Sequence, residues 1–300
     1  MKELLTVLLP VYNGEDYIEE AILSILNQTF EHFKLLIIND GSTDNSLYLL
    51  QKYSKQDDRL KIYNQENQGA GAARNKGMKL AAGKYIAFAD PDDFYPDKDV
   101  LSDLYRAIEN NKVNIAGGGL IEFLPDLRYR KEYAEQELKT FKKDCIVKYS
   151  DYQYDYFFQR FIYSRKFLIQ HEIEFPLYRR QQDIVFFVKA MIKAKKFYAL
   201  KRTSYCYRVD YKLKLRSKQE MAETVEVTQA LLHMCREYKL RKLYNRILKR
   251  YIFQKIEQIL VEIGLSKIQY MLHKYIFQLR FKIFFNKFYK DDVLIRRADL

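Results

Sequence analysis

Four short apolar runs, Leu4 to Leu9, Leu35 to Ile38, Leu60 to Tyr63 and Tyr85 to Ala89, are separated by segments of helical spacing, and this alternation constrains the fold more than any other feature. Continuous apolar runs of this length suit strands buried on both faces. Between the first two runs, Ile18, Ile22, Ile25 and Leu26 recur at helical intervals. Ser42 and Thr43 lead into a second helix over Asp44 to Tyr53, and a third is expected near Ala72 to Ala82. Regular strand–helix alternation predicts an α/β, Rossmann-like fold with a mainly parallel, doubly wound sheet flanked by helices.

In such sheets ligands bind beyond the carboxyl ends of the strands. Polar residues gather there in this chain. Pro10, Tyr12, Asn13, Gly14 and Glu15 follow the first strand, Asn39 to Ser42 the second, and Asn67 to Gly71 the third. The fourth runs into Asp90-Pro91-Asp92-Asp93. Three carboxylates this close repel one another unless a cation or water relieves them, and oxygen donors suit Mg²⁺ or Mn²⁺ better than zinc. An acidic turn is the plain alternative, since Asp and Pro are common turn residues.

From Val113 the periodicity weakens, with strands expected near Ile115 to Gly118 and Tyr198 to Tyr207 and a helix over Asp183 to Ala194. Beyond Ser217 glycine becomes rare, proline disappears and long basic helical stretches follow. The expected organisation is a unit over 1–217, divided into halves 1–112 and 113–217, and a helical region over 218–300. With 300 residues, 48% of them hydrophobic, the chain can bury one substantial core and carry a smaller second unit. Its net charge of +13 suits an anionic partner: nucleic acid, a nucleotide substrate or an acidic membrane surface.

Cys145, Cys206 and Cys235 form no disulfide framework or zinc motif, which fits a reducing cytoplasm. Met1 to Leu9 is too short for a signal peptide, and no apolar stretch reaches the roughly 18 residues of a membrane span. A cytoplasmic protein, soluble or attached to a surface, is expected. Ile268 to Tyr289 carries no acidic residue; Ile268, Leu272, Ile276, Leu279 and Ile283 share one helical face, with Phe277, Phe281, Phe284 and Phe288 on a second stripe. Such a segment suits an anionic bilayer surface, or equally a helix gripped by protein neighbours, including a homodimer partner.

The motifs Pro10-Val11-Tyr12-Asn13, Asn39-Asp40-Gly41-Ser42-Thr43-Asp44, Asn67-Gln68-Gly69-Ala70-Gly71-Ala72-Ala73-Arg74-Asn75 and Asp90-Pro91-Asp92-Asp93, in this order and spacing, resemble glycosyltransferase family 2. These are inverting, nucleotide-sugar-dependent enzymes of GT-A fold. The likeness is strong as far as about Asn110 and extends more thinly to Tyr207-Arg208.

The resemblance implies a role for each motif. Asp40 would accept a hydrogen bond from the N3–H of uracil; an acceptor-only group also suits guanine but is repelled by cytosine's bare N3, so a UDP-sugar is expected and GDP stays open. An Asx turn at the strand end is the alternative for Asp40. Tyr12 would stack on the base, with Pro10, Val11, Glu15, Asn67, Gly69 and Pro91 completing the nucleotide site; Tyr12 is otherwise one ordinary tyrosine among 26. Arg74 would meet phosphate at a helix start, or else form a surface salt bridge.

Asp90 and Asp92 match the family's D-x-D pair, Asp92 for a Mn²⁺ or Mg²⁺ ion and Asp90 for that ion's water or the ribose, with Asp93 bracing the loop. The ion would neutralise charge on the departing nucleoside diphosphate. Asp183 stands where the family carries its catalytic base, with Gln182 in place of the usual Glu, and it is also placed to cap a helix. Arg208 and Lys212 are candidate diphosphate contacts, although Val209-Asp210 replaces the family's usual His-containing pattern.

Without tryptophan or a Gln-x-x-Arg-Trp motif, single-sugar addition is expected rather than processive synthesis. The implied acceptor is a hydroxyl of a bacterial surface glycan: capsule, lipopolysaccharide or a lipid-linked oligosaccharide. Transfer to a lipid phosphate, or a non-catalytic basic module binding membrane or nucleic acid, are the alternatives; no nucleic-acid partner is expected of the enzyme.

Overall fold

A computed structural model of the chain describes residues 3–123, 140–208 and 217–262. Its first half is β1 (Leu5–Val11), α1 (Ile18–Leu26), β2 (Phe33–Asp40), α2 (Ser46–Ser54), β3 (Leu60–Gln65), α3 (Ala70–Leu80), β4 (Tyr85–Phe88) and α4 (Val100–Asn111). The first seven lie where the alternation places them. β1 is buried along its whole length, as a continuous apolar run requires, and α1 turns Ile18, Ala21, Ile22 and Ile25 to the core.

The second half contains β5 (Ile115–Phe123), β6 (Cys145–Lys148), α5 (Tyr149–Tyr152), a 3₁₀ turn at Phe158–Arg160, β7 (Phe161–Ser164), α6 (Arg165–Gln170), α7 (Gln182–Ala194), β8 (Lys196–Arg208), α8 (Lys218–Glu237) and α9 (Arg241–Glu262). Among the described residues the strands form one sheet in the order β3-β2-β1-β4-β7-β5-β8-β6. The pairings β1/β2, β1/β4, β2/β3 and β5/β8 are parallel. β7 runs antiparallel between β4 and β5, and β6 antiparallel on the β8 edge. The parallel expectation therefore describes the first half fully and the second half in part. Neither β6 nor β7 is marked in the sequence, since β7 continues from an aromatic stretch with no Gly or Pro to isolate it.

Alternate sheet residues face two cores. Leu5, Val7, Leu9, Ile37 and Ala87 pack with α1 and α4 on one side. Leu8, Ile38, Ile86 and Phe88 pack with α7 and α8 on the other. Phe88 is ringed there by Phe158, Tyr163, Phe175 and Phe186, and Phe175 stacks on Phe186 with centroids 4.0 Å apart. Where β5 crosses β7, Gly117 pairs with Phe161, and a methyl added at Gly117 would land inside the Phe161 ring. Gly117→Ala is accordingly expected to cost about 1–3 kcal/mol through overpacking. Thermal denaturation checks it; an unchanged melting temperature would mean that β7 yields without cost.

The helical hairpin α8–α9 shares this second core through Val227, Leu231, Leu240, Leu243 and Ile247. Gln153, at φ +46, caps α9 by accepting from the backbone N–H of Lys242 (2.9 Å) and Leu243 (3.1 Å). The fully buried Asp155 pairs with Arg246 (3.5 Å) and Arg250 of α9. No helix among the described residues is long and apolar enough to cross a membrane. Lys212, the Val209-Asp210 pair and the basic segment Ile268 to Tyr289 lie outside the described residues.

Candidate active site

The loops at the carboxyl edge of β1 to β4 are tied to one another. Asn13, left-handed at φ +52, donates its N–H to Ser42 Oγ (3.1 Å) and accepts from Thr43 N–H (2.8 Å). Gly14 N–H donates to Ser46 Oγ (2.8 Å), and Glu15 accepts from Asn45 N–H (2.9 Å). A Cβ added at Gly14 would lie 3.2 Å from Pro91, so the first loop rests against the acidic loop. Pro10 and Val11 are buried at the end of β1, while Tyr12 is 51% exposed beyond them, a tyrosine face open at the crevice.

Asp40 is 2% exposed. Its Oδ1 accepts from Gln65 Nε2 (2.7 Å) and Gln68 N–H (2.9 Å), and its Oδ2 from Gly69 N–H (2.8 Å). An ionised carboxylate offers about four acceptor sites, so three of them here fix the loop that enters α3. This is a long-range brace and no local Asx turn. Gly69 (φ +87), just before α3, and Gly41 (φ +76) hold left-handed backbone that a side chain would strain. Asn67, exposed, has its N–H 3.0 Å from where a Gly41 Cβ would stand.

Arg74 is no surface residue. Buried on α3, it donates from Nη2 to Asp90 Oδ1 at 2.6 Å, and its guanidinium lies 5.0 Å from the Phe158 ring and 5.3 Å from that of Phe175. Asp90 Oδ2 accepts from Gln159 Nε2 at 2.6 Å, and its backbone N–H donates to Tyr205 Oη at 3.0 Å. Gln159 is the residue that sequence reasoning missed. It sits in the 3₁₀ turn after Phe157, which is left-handed at φ +64, and its one sequence signal is a polar amide inside Phe157-Phe158-Gln159-Arg160-Phe161.

The third carboxylate, Asp93, is buried and accepts from Arg208 N–H at 2.8 Å. Burial, then the Asp92 and Asp90 charges, push its carboxyl well above the usual range. Arg208 donates from Nε to the Asp92 carbonyl (3.0 Å), pairs with Glu20 of α1 and lies 4.5 Å over the Tyr17 ring. In this structure it ties the acidic loop to α1.

Asp183 lies within the first turn of α7; the cap position belongs to Gln181, at φ +61, which makes no side-chain cap bond. Burial raises the Asp183 carboxyl above its usual range, with Arg74 opposing the shift and Asp90 reinforcing it. Asn75 of α3 holds the segment that leads into α7: it donates to the Phe175 carbonyl (2.7 Å) and accepts from the Phe175 N–H (2.9 Å).

No group of three or more His, Cys, Asp or Glu side chains among the described residues is arranged to hold a metal. Mg²⁺ is commonly held by only one or two carboxylates plus substrate phosphates, so a protein-only cage is not the test that matters. Both Asp90 oxygens already carry donors, and Asp93 is buried. Asp92, in the same loop, is partly exposed, and its carboxylate oxygens are of the donor type that suits Mg²⁺ or Mn²⁺.

A parallel half-sheet with braced polar loops at its carboxyl edge, continued by a mixed half-sheet and helices on both faces, is the architecture of the GT-A class of glycosyltransferases. It superposes on S. aureus TarS 1-349 in complex with UDP with a TM-score of 0.68, at 22% identity, covering 90% of this chain and 77% of that one. The chain belongs to glycosyl transferase family 2, whose family model matches residues 6–172. It is 30% identical over 221 residues to the uncharacterized glycosyltransferase EpsJ of Bacillus subtilis (strain 168), covering 69% of this chain and 62% of that protein. It is 45% identical over 93 residues to TuaG of the same organism, a protein named for teichuronic acid biosynthesis, covering 31% of this chain and 37% of TuaG. The chain spans about 60% of the length of the first curated relatives it matches.

Proposed function

We propose that this chain transfers a single sugar, with inversion, from a UDP-sugar to a hydroxyl of a bacterial surface glycan, assisted by Mn²⁺ or Mg²⁺. The observation that carries the proposal is the Arg74–Asp90–Gln159 cluster at the carboxyl end of β4, beside the loop that Asp40 braces into α3. The UDP complex of TarS supports the nucleotide, and the TuaG name supports a surface polymer as product.

Asp40 reads the base at the far end of the loop it braces, Tyr12 stacks on it, Arg74 and the α3 N-terminus hold the diphosphate end, and Asp90 serves the ribose or a water of the divalent ion. Asp92 holds the divalent ion, which when bound neutralises charge on the leaving diphosphate. Asp183 takes the proton from the acceptor hydroxyl as its oxygen bonds to the anomeric carbon and the bond to the diphosphate breaks on the opposite face. A single carboxylate suffices for that inversion.

UDP with Mn²⁺ or Mg²⁺ is expected to raise the melting temperature, since a ligand at about 100 times its Kd stabilises by roughly 2.7 kcal/mol. Chelator should remove most of the shift, and Asp92→Ala should remove its metal-dependent part. A UDP response identical in chelator, metal and Asp92→Ala would sink the metal assignment. No response to UDP under any of these conditions would sink the donor assignment.

The raised Asp183 carboxyl also sets a pH dependence. Its proton must leave before it can act as a base, so turnover should rise with pH through that raised pKa and level off above it. A rate that falls as pH climbs through this range would contradict the base role. The same shift means that ionising this half-buried carboxyl weakens the fold relative to the protonated form as pH rises.

A further inference from the structure

We infer that Glu220, Glu223 and Glu226 of α8 are positioning residues for Asp183, holding the segment that leads into α7 in its working place. This rests on the base role proposed for Asp183.

The three glutamates recur every third residue, so they share one face of α8. They meet the chain before α7 one residue at a time. Arg180 Nε donates to Glu220 Oε1 at 3.2 Å, Arg179 N–H to Glu223 Oε2 at 3.3 Å, and Tyr178 Oη to Glu226 Oε1 at 3.3 Å. Two residues further along α8, the Thr228 hydroxyl lies 3.3 Å from Gln181 Oε1, 2.8 Å from the Thr224 carbonyl and 2.7 Å from Gln254 Oε1 of α9. Three consecutive residues, Tyr178 to Arg180, are thus each matched to a glutamate of α8.

The opposite wall is α3. Asn75 pairs with the Phe175 backbone, and a Cβ added at Gly71 would stand 3.0 Å from the Pro176 carbonyl and 3.2 Å from Gln182 Cγ. The segment from Phe175 to Gln182 therefore runs in a slot between the donor-side helix and α8. Its ends are packed, Phe175 against Phe186 and Gln182 buried at the start of α7, while between them Leu177 is 78% exposed and Gln181 left-handed, so the course of the middle is set by those walls.

Glu220 is pre-fixed for the task. It closes a capping box with Ser217, accepting from the Ser217 N–H (2.9 Å) while Ser217 Oγ accepts from the Glu220 N–H (3.2 Å). One exposed ion pair contributes little to stability. Position is another matter, because a misplacement of about 1 Å at a reacting group can cost on the order of 10²-fold in rate. The row thus acts on geometry more than on folding free energy.

The test is the triple variant Glu220→Gln, Glu223→Ala, Glu226→Ala, in which Gln can still close the capping box while the acceptors for the Arg179 N–H and the Tyr178 hydroxyl are gone. Wild type, the triple variant and Asp183→Asn are compared in the release of UDP from UDP-glucose and UDP-N-acetylglucosamine, with water as acceptor. The expected result is a kcat lowered about tenfold in the triple variant, with the donor KM and the UDP-induced thermal shift within about twofold of wild type. A purely structural role would weaken UDP binding together with kcat, and that parallel loss overturns the inference, as does an unchanged kcat. If Asp183→Asn itself keeps full turnover, the base role fails. If Asp183→Asn is inactive while the triple variant is fully active, only the positioning role fails.

Discussion

Replacing Asp183 by Asn is expected to lower sugar transfer by about 10²- to 10⁴-fold, the usual contribution of a positioned general base, while leaving UDP affinity at its wild-type value. The amide keeps the size of the carboxylate but cannot take a proton. Asp40 draws its hydrogen bonds from Gln65, Gln68 and Gly69, so the substitution leaves that brace in place. The variant should also be slightly more stable than wild type at neutral pH, because burial disfavours the charged carboxyl and a neutral amide escapes that penalty. Single-turnover measurement with saturating donor, beside a UDP titration and a melting curve, checks all three. Transfer at near wild-type rate would show that the acceptor needs no base, as for an acceptor that is already anionic.

Arg74→Leu should have the largest effect on the fold. The Arg74 and Asp90 side chains are 6% and 16% exposed, and removing one partner of so buried a pair typically costs about 3–5 kcal/mol because the other charge is left behind. For a chain of this size that is a fall in melting temperature on the order of ten degrees. The loss is amplified by the guanidinium's seat between Phe158 and Phe175, which Leu fills poorly. The double variant Arg74→Leu, Asp90→Leu should recover part of the stability, since it leaves no orphaned carboxylate. Calorimetry on the three proteins decides the matter; a double variant weaker than the sum of the singles would mean that Asp90 is held mainly by Gln159. Arg74 also opposes the upward shift of Asp183, so its removal should move the rise of rate with pH to higher pH.

The first half of the fold is legible because its strands are apolar without interruption and its helices carry single apolar faces, both properties of adjacent residues. The loop motifs are legible for the same reason, since Asn13, Gly41 and Gly69 announce the left-handed backbone they adopt. Side-chain direction was not legible. Arg208 looks like an open cation in the sequence, yet it reaches back to Glu20 at the start of the chain. Asp40, for which the local alternative is an Asx turn, bonds a loop nearly thirty residues on. Gln159 lies 69 positions from Asp90, and only the insertion of β7 beside β4 brings them together. Such pairs belong to the topology, and no local pattern encodes them.

The pairing of Asp155 with α9 has a practical consequence for anyone trimming the chain. A fragment ending at Ser217, where the composition changes, would lose Arg246 and Arg250 and leave the Asp155 carboxylate inside the protein with neither cation. It would also uncover the side of α7 now roofed by Val227 and Leu231. The smallest workable fragment therefore extends at least through Gln254, and a protease that nicks between α8 and α9 should release neither helix while the Gln153 cap and the Asp155 pair hold.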